Sequence, residues 1–198
     1  MSTPAELIRD LRDVGVDVGD VWDLVNRKTQ YPAAVPVLLD WLTHLEHRVA
    51  EGERTKLREG LVRSLTVPAA RPLAAPALID EFRNSEDATG LSDRWVIGNA
   101  LSVVADDSVF DEIESLVRDR RFGKARQMVV VGIGRSKKPE AAPLLVELLN
   151  DEDVAAHALK ALAKLKPSGV RAAVEPLLNH PQALVRREAK KALATLPQ

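Results

Sequence analysis

A short motif recurs along this chain at a fixed offset. The letters PVLLD at positions 36–40 return as PALID at 76–80, and Gly60-Leu61 returns 40 residues later as Ala100-Leu101. Two matching offsets indicate a repeated structural unit rather than a chance similarity. The small–apolar pair then continues at spacings of 32, 29 and 31 residues, as Gly132-Ile133, Ala161-Leu162 and Ala192-Leu193. Units of this length predict a solenoid, in which each repeat packs on its neighbours.

The composition favours helices as the repeated elements. Hydrophobic residues make up 45% of the 198 positions, but aromatic residues only 4%. Such a chain packs through Ala, Leu and Val, which is typical of helices and predicts an all-α fold. Five two-helix units fit the periodicity. The predicted first helices are 32–47, 69–83, 108–119, 139–150 and 168–179, and the predicted second helices are 51–65, 92–105, 124–136, 153–165 and 183–196.

Local signals refine this picture. Thr3, Pro4 and Glu6 predict a helix start, and that helix should run to about Asp13 before Gly15. We therefore expect residues 1–30 to form an N-terminal helical cap on a repeat array at 31–198, all within a single domain. The cap would cover the end of the array with Leu7, Ile8, Leu11, Trp22 and Val25. Inside the first helices, kinks are expected at Pro36, Pro76 and Pro143.

Several classes of function are disfavoured by what the sequence lacks. The chain has no cysteine, which excludes disulfides, thiolate metal ligands, a cysteine nucleophile and a thioether-linked chromophore. Its first ten residues are charged without an apolar run, and no later run reaches the 18 apolar residues of a membrane span. We expect a cytoplasmic protein that does not enter a membrane.

The last two units carry a family resemblance. They read PEAAPLLVELLNDEDVAAHALKALAKL at 139–165 and SGVRAAVEPLLNHPQALVRREAKKALATL at 168–196. An apolar first helix, an Asp/Asn/Pro turn and a second helix with Val-Arg and Ala-Leu resemble bacterial HEAT-repeat proteins, with short repeats like those also found in phycobilin lyases. The resemblance implies a HEAT-like solenoid, that is, a right-handed α–α superhelix. It implies little about function, because the repeats are the whole of the likeness.

An arginine recurs in the second helices, at positions 54, 94, 126 and 186. In HEAT repeats an arginine here pairs with a turn acid or a carbonyl of a neighbouring unit, so we interpret this column as structural.

In the same family the second helices line a concave groove. The core stripe of the last helix includes Val185, Ala189 and Ala192, which leaves Arg187 and Lys191 on its outer side. Aligning the earlier units with this column predicts a groove that is neutral or acidic at one end, apolar in the middle and basic at the other end. Its candidate partner-binding residues are Trp95, Asn99, Gln127, Val131, Lys160, Arg187 and Lys191. Trp95 would be the main anchor, because tryptophan offers a large contact area.

Charge is segregated along the chain although the net charge is only −1. Residues 79–115 hold ten acidic side chains and two arginines, whereas residues 118–138 hold eight basic side chains and one aspartate. The basic stretch falls at both ends of the predicted helix 124–136, about 18 Å apart, and could straddle phosphates. The candidate phosphate-binding residues are Arg118, Arg120, Arg121, Lys124, Arg135, Lys137 and Lys138. Mutual neutralisation of the acidic and basic surfaces is the alternative.

No catalytic motif or cofactor site stands out. His44 and His47 could share a metal at their i, i+3 spacing, but a third ligand is not evident, so we predict no metal site. Asp93 beside Trp95 is a weak match to the DNA glycosylases that share HEAT-like repeats. We therefore expect a non-enzymatic scaffold that binds a protein partner, acidic in part, through the groove. A nucleic-acid binder using the third repeat and an enzyme with an unrecognised site are the alternatives.

Overall fold

The computed structural model describes residues 4–25, 27–85 and 93–198, which contain α-helices and 3-10 turns and no β-strand. The all-α prediction is confirmed for these ranges. The α-helices are α1 (Pro4–Asp13), α2 (Trp22–Val25), α3 (Ala34–Thr43), α4 (Leu45–Arg48), α5 (Glu51–Ser64), α6 (Ala75–Asn84), α7 (Asp93–Val104), α8 (Phe110–Arg118), α9 (Gln127–Ile133), α10 (Ala141–Glu147), α11 (Ala155–Leu165), α12 (Arg171–Val174) and α13 (Ala183–Thr195). Thr3 and Ser92, where two helices were predicted to begin, lie outside the described residues.

Helices α5, α7, α9, α11 and α13 correspond to the predicted second helices, and each contacts the next along the chain. Four of them match their predicted bounds within two residues at each described end. The exception is α9, because Arg120–Arg126 form a 3-10 segment in which Gly123 has a φ of 48°. A positive φ is easily adopted by glycine and interrupts regular helix there. The α-helical part of the predicted 124–136 helix is therefore only seven residues long.

The first helices are shorter than predicted, and the prolines explain part of the difference. Pro36, Pro76 and Pro143 are the third, second and third residues of α3, α6 and α10. Backbone N–H groups in the first turn have no partner within the helix, so proline removes nothing there and its fixed φ suits a helix start. The predicted kinks are wrong, because these prolines lie where the helices begin.

Several first helices also break or end in tighter turns. The predicted helix 32–47 is divided at His44 into α3 and α4, since the φ and ψ of His44 are −105° and 12°. α10 continues as the 3-10 turn Leu148–Asn150, and α12 continues as the 3-10 segment Glu175–Asn179. Tightened last turns of this kind satisfy carbonyls that a regular helix end would leave without a partner.

The arginine column joins the two helices of every unit except the fourth, where Ala155 interrupts the column. Nε of Arg54 donates to the carbonyl of Val49 (2.7 Å), directly after α4. Nε of Arg94 donates to Phe82 in the last turn of α6 (2.8 Å). A guanidinium at a helix C-terminus satisfies carbonyls there and favours the negative end of the helix dipole.

The two later arginines repeat this arrangement. Nη1 of Arg126 donates to Val117 in α8 (2.8 Å), and Nη1 of Arg186 donates to His180 (2.7 Å). A structural role is therefore observed for the column, but these carbonyls belong to the same unit rather than to a neighbouring one. Arg126 additionally reaches the following unit through Asp151.

The N-terminal helices lie against the first unit, with α1 on α3 and α2 on α5. Leu7 and Leu11 are fully buried there, and Ile8, Trp22 and Val25 are partly buried. All of these residues except Val25 belong to, or pack against, one cluster of buried apolar side chains that extends from Leu7 to Leu196. Within the described ranges, none of the helices combines the length and apolarity of a membrane span.

Small residues set the distance between successive second helices. A Cβ added to Gly132 in α9 would lie 3.1 Å from the Cα of Ser102 in α7. A Cβ added to Gly134 would lie 2.8 Å from the carbonyl oxygen of Ala161 in α11. The recurring small residue that reveals the repeat therefore lies where neighbouring main chains come closest.

The first prediction concerns Gly98 in α7, where an added Cβ would lie 2.9 Å from the main-chain oxygen of Ala125. Replacing a helical glycine by alanine normally stabilises a protein by up to about 1 kcal/mol. For Gly98→Ala we expect the opposite sign, a destabilisation of about 1–3 kcal/mol, because a main-chain atom must move. Urea unfolding measures the change.

Gly52→Ala in α5 is the matched control, because nothing lies within 4 Å of its added Cβ. We expect this variant to be as stable as the native protein or slightly more stable. Equal stabilities for both variants would contradict the close helix contact.

Candidate functional site

The seven predicted groove residues lie on α7, α9, α11 and α13, four helices that pack together in chain order. None of the seven side chains belongs to a buried residue. Trp95 is 36% exposed, whereas its neighbours Val96 and Ile97 are buried. An exposed tryptophan on a helix that buries its other apolar side chains is available for contact with another molecule.

One of these side chains is used within the fold. Nε2 of Gln127 donates to the main-chain oxygen of Asp153 (2.9 Å), which belongs to the next unit. Its amide therefore helps to hold the turn before α11. Asn99 and Val131 are partly exposed and have no comparable contact to an adjacent unit among the described residues.

At the basic end of the predicted groove, the cationic side chains lie close to a buried carboxylate. Glu188 is 4% exposed, and its Oε1 accepts hydrogen bonds from Nε of Arg187 and Nζ of Lys191, each at 3.1 Å. Burial raises the pKa of Glu188, but these hydrogen bonds outweigh it, and the charges of Lys191 and Lys160 lower the pKa further. Three predicted groove cations therefore surround one carboxylate, which neutralises part of their charge.

Sequence reasoning missed Glu188 although a signal was present. Val185, Ala189 and Ala192 form the buried stripe of α13, and position 188 lies beside 185 and 192 on the same face. A carboxylate on a buried stripe needs charged or polar partners. The adjacent Arg187 and the i+3 Lys191 supply them.

His157 lies close to this cluster on α11. Its Nδ1 is buried and has no hydrogen-bond partner, and the side chain is half-buried. Burial and the charge of Lys160 lower the pKa of His157 to about 4, and the charge of Glu188 acts in the opposite direction. The imidazole is therefore neutral at physiological pH.

The basic stretch is largely paired within the fold. Arg118 forms ion pairs with Glu114 in its own helix and with Glu147 in the following unit. Arg121 pairs with Asp119 (2.7 Å), and Nε of Arg120 lies 3.5 Å from Oδ2 of Asp151. Three of the candidate phosphate-binding arginines thus already face carboxylates.

The remaining candidates divide between two places. Lys124 precedes α9, whereas Arg135, Lys137 and Lys138 follow it. These four side chains form no ion pair among the described residues. The seven residues of α9 span about 10 Å, whereas the helix predicted at 124–136 would separate the two basic ends by about 18 Å. The two basic ends are therefore not joined by a single α-helix of the predicted length.

Arg126 of the arginine column forms a buried ion pair with Asp151, a turn acid of the neighbouring unit, as the resemblance implied for this column, although the sequence did not single out Asp151. Arg126 is 1% exposed, and its Nη1 lies 2.9 Å from Oδ2 of Asp151. Burial raises the pKa of Asp151, but the hydrogen bond and charge of Arg126 lower it below the ordinary value. The pair connects the third and fourth units, and 25 residues separate its members along the chain.

One of the two histidines considered for metal binding, His44, already faces a carboxylate. Nδ1 of His44 lies 3.0 Å from Oδ1 of Asp40, which also pairs with Arg48. Over the part of the chain that the structure describes, no three His, Cys, Asp or Glu side chains are grouped to hold a metal ion.

No family model matches the chain, and no curated protein is significantly similar to it.

The second prediction tests the buried ion pair. Asp151→Ala removes the carboxylate that is hydrogen-bonded to the buried guanidinium of Arg126, and leaves carbonyl acceptors and the more distant carboxylate of Asp153 at 3.8 Å. We expect a destabilisation of about 3 kcal/mol, because a buried charge loses its hydrogen-bonded partner. Chemical denaturation at pH 7 measures it.

Glu147→Ala is the matched control, since the Arg118–Glu147 pair also joins the third and fourth units but is exposed to solvent. We expect a change below about 1 kcal/mol. If Asp151→Ala lowered the free energy of unfolding by no more than Glu147→Ala does, Asp151 would not be needed to compensate the charge of Arg126.

The third prediction concerns pH. His157 has a pKa of about 4 when folded and an ordinary value of 6.5 when unfolded. As the pH falls from 6.5 towards 4, the unfolded chain takes up this proton first, so His157 lowers the stability of the fold. With partial exposure considered, we expect this contribution to reach on the order of 1–2 kcal/mol.

The measurement is urea unfolding at pH 7.5 and pH 5 for the native protein and for His157→Leu. The variant should gain about 1 kcal/mol relative to the native protein on going to pH 5. His47→Leu is the control, because His47 is exposed and should show no such gain. Parallel pH profiles for His157→Leu and the native protein would contradict a depressed pKa.

Proposed function

We propose that this chain is a HEAT-like right-handed α–α superhelix that acts as a non-enzymatic protein-interaction module. The observation that carries the proposal is the exposed Trp95 on a set of second helices packed in chain order. Packing already fixes the opposite side of these helices, so their outer side is free to bind a partner. The resemblance of the last two units to bacterial HEAT repeats and the absence of cysteine support a bacterial, cytoplasmic setting.

The exposed side chains describe the partner in chemical terms. Trp95 and Val131 on adjacent helices would contact an apolar segment, since aromatic side chains in desolvated contacts dominate binding free energies. Asn99 would add a hydrogen bond. Lys160, Arg187 and Lys191 would steer an acidic portion of the partner, because three cations share the single carboxylate of Glu188.

Nucleic-acid binding receives less support. A phosphate contact by Arg118 or Arg121 would have to replace an existing ion pair with Glu147 or Asp119. Binding of a nucleic acid would be salt-sensitive, and fluorescence anisotropy of labelled duplex DNA at about 50 and 200 mM salt detects it. Saturable binding that weakens steeply over this range would favour the nucleic-acid alternative over a protein scaffold.

The fourth prediction tests the groove with the native chain as bait in a lysate, with quantification by mass spectrometry. Trp95→Ala should reduce recovery of the captured partner about 30-fold, as for loss of a hot-spot tryptophan worth about 2 kcal/mol. Lys191→Glu should reduce recovery more at low salt than at high salt, because exposed charges are screened.

Leu73→Ala is the matched control, since Leu73 is 57% exposed and lies outside the second helices. It should leave recovery unchanged. Equal recovery by the native chain, Trp95→Ala and Lys191→Glu would overturn the groove assignment. Thermal denaturation of each variant shows whether a loss of capture reflects unfolding.

A further inference from the structure

A cavity of about 410 Å³ opens beside the C-terminal ends of α7 and α9. Its floor is apolar and its rim carries charged side chains, and it shares no residue with the predicted groove. Its volume falls within the range of small-molecule sites, which combine an apolar lining with a few convergent polar groups. The floor includes Leu101, Phe110, Ile113, Val129 and Ile133.

Two arginines at the rim converge on one acceptor. Nε of Arg71 and Nη2 of Arg135 both donate to the main-chain oxygen of Val103, in the last turn of α7. Arg71 precedes α6 in the second unit and Arg135 follows α9 in the third unit, so two adjacent units meet at this point. Neither guanidinium forms an ion pair with a carboxylate among the described residues.

The two carboxylates at the rim are bound to other groups. Oδ1 of Asp106 accepts hydrogen bonds from the backbone N–H and the hydroxyl of Ser108. Asp107 accepts from the hydroxyl of Ser136 (2.6 Å) and the backbone N–H of Lys137 (3.0 Å). These bonds hold the chain around the cavity. The hydrogen bonds from Ser108 lower the pKa of Asp106 and the charge of Arg71 contributes to lowering it, but among the described residues no carboxylate forms a close ion pair with either guanidinium.

Like charges are concentrated here. Burial and the charge of Arg71 lower the pKa of Arg135. Burial and the charges of Arg135 and Arg71 lower the pKa of Lys164, at the end of α11. An anion placed among these groups would relieve their repulsion and accept hydrogen bonds from two guanidinium groups.

We propose that this cavity binds a small organic anion with an apolar body. A carboxylate or phosphate would lie between Arg71 and Arg135, and the hydrocarbon part would pack on the apolar floor. This site is separate from the groove and does not depend on the protein partner proposed there.

The fifth prediction uses 8-anilinonaphthalene-1-sulfonate, whose fluorescence rises in an apolar site, and its uncharged analogue N-phenyl-1-naphthylamine. The native protein should bind the sulfonate saturably at one site per chain. Arg135→Gln should weaken sulfonate binding about tenfold, as expected for the loss of a hydrogen bond to a charged group. Binding of the uncharged analogue should change little, because it does not use the guanidinium.

Arg121→Gln is the matched control, since Arg121 is exposed and pairs with Asp119 away from the cavity. Ala105→Phe keeps every charge but fills the cavity, so it should abolish binding of both dyes. Octanoate should displace the sulfonate from the native protein more effectively than 1-octanol, a comparison that needs no variant.

Absence of saturable sulfonate binding to the native protein would overturn the proposal. An unchanged dissociation constant in folded Arg135→Gln, or binding retained by Ala105→Phe, would do the same. Octanol displacing the dye as well as octanoate would show that the cavity recognises only the apolar body.

Discussion

The close approach of successive second helices is the constraint on which the rest of this structure depends. Gly132 faces the main chain of Ser102, and Gly134 faces the main chain of Ala161, at distances that an added Cβ would reduce to about 3 Å. Helices at this distance pack through Ala, Val and Leu without large aromatic side chains, in keeping with an aromatic content of 4%. At these two contacts a recurring small residue of the sequence repeat, Gly132 or Ala161, lies against the main chain of the adjacent unit.

This constraint separates two kinds of position on the second helices. One side is fixed by neighbouring helices, and every unit but the fourth is closed at its turn by an arginine that donates to the end of the first helix, as Arg94 does to Phe82. The outer side has no such requirement. Trp95 exposes 36% of its surface on this side, where burial would be favourable. The partner contact that we propose would cover this surface.

The sequence predicted the second helices better than the first for a local reason. A continuous 3.6-residue pattern specifies α11 and α13 closely, whereas 3-10 turns and proline starts, as at Pro76, shorten the first helices without breaking the apolar pattern. Glu188 could have been predicted from its phase on α13. For Arg126 the resemblance implied a turn acid or a carbonyl of a neighbouring unit, but not which residue, because Asp151 lies 25 positions away and meets it only through packing of adjacent units.

Which charges are paired also depends on contacts between units rather than on local sequence. Counting residues along the chain marks 118–138 as a strongly basic segment, but folding places Glu147 against Arg118 and Asp151 against Arg126, so much of that charge is neutralised inside the protein. The same charged residue types form ion pairs between neighbouring units and charged binding surfaces, so composition alone does not distinguish the two. The fold distinguishes them, because it shows which charges remain unpaired. Arg71 and Arg135, 64 positions apart, give the opposite case. Arg135 belongs to the basic stretch but Arg71 does not, and folding brings both guanidinium groups to one carbonyl beside an apolar cavity. A candidate anion site in a repeat protein is therefore better sought among the cations that the fold leaves unpaired than among those that are most numerous in sequence.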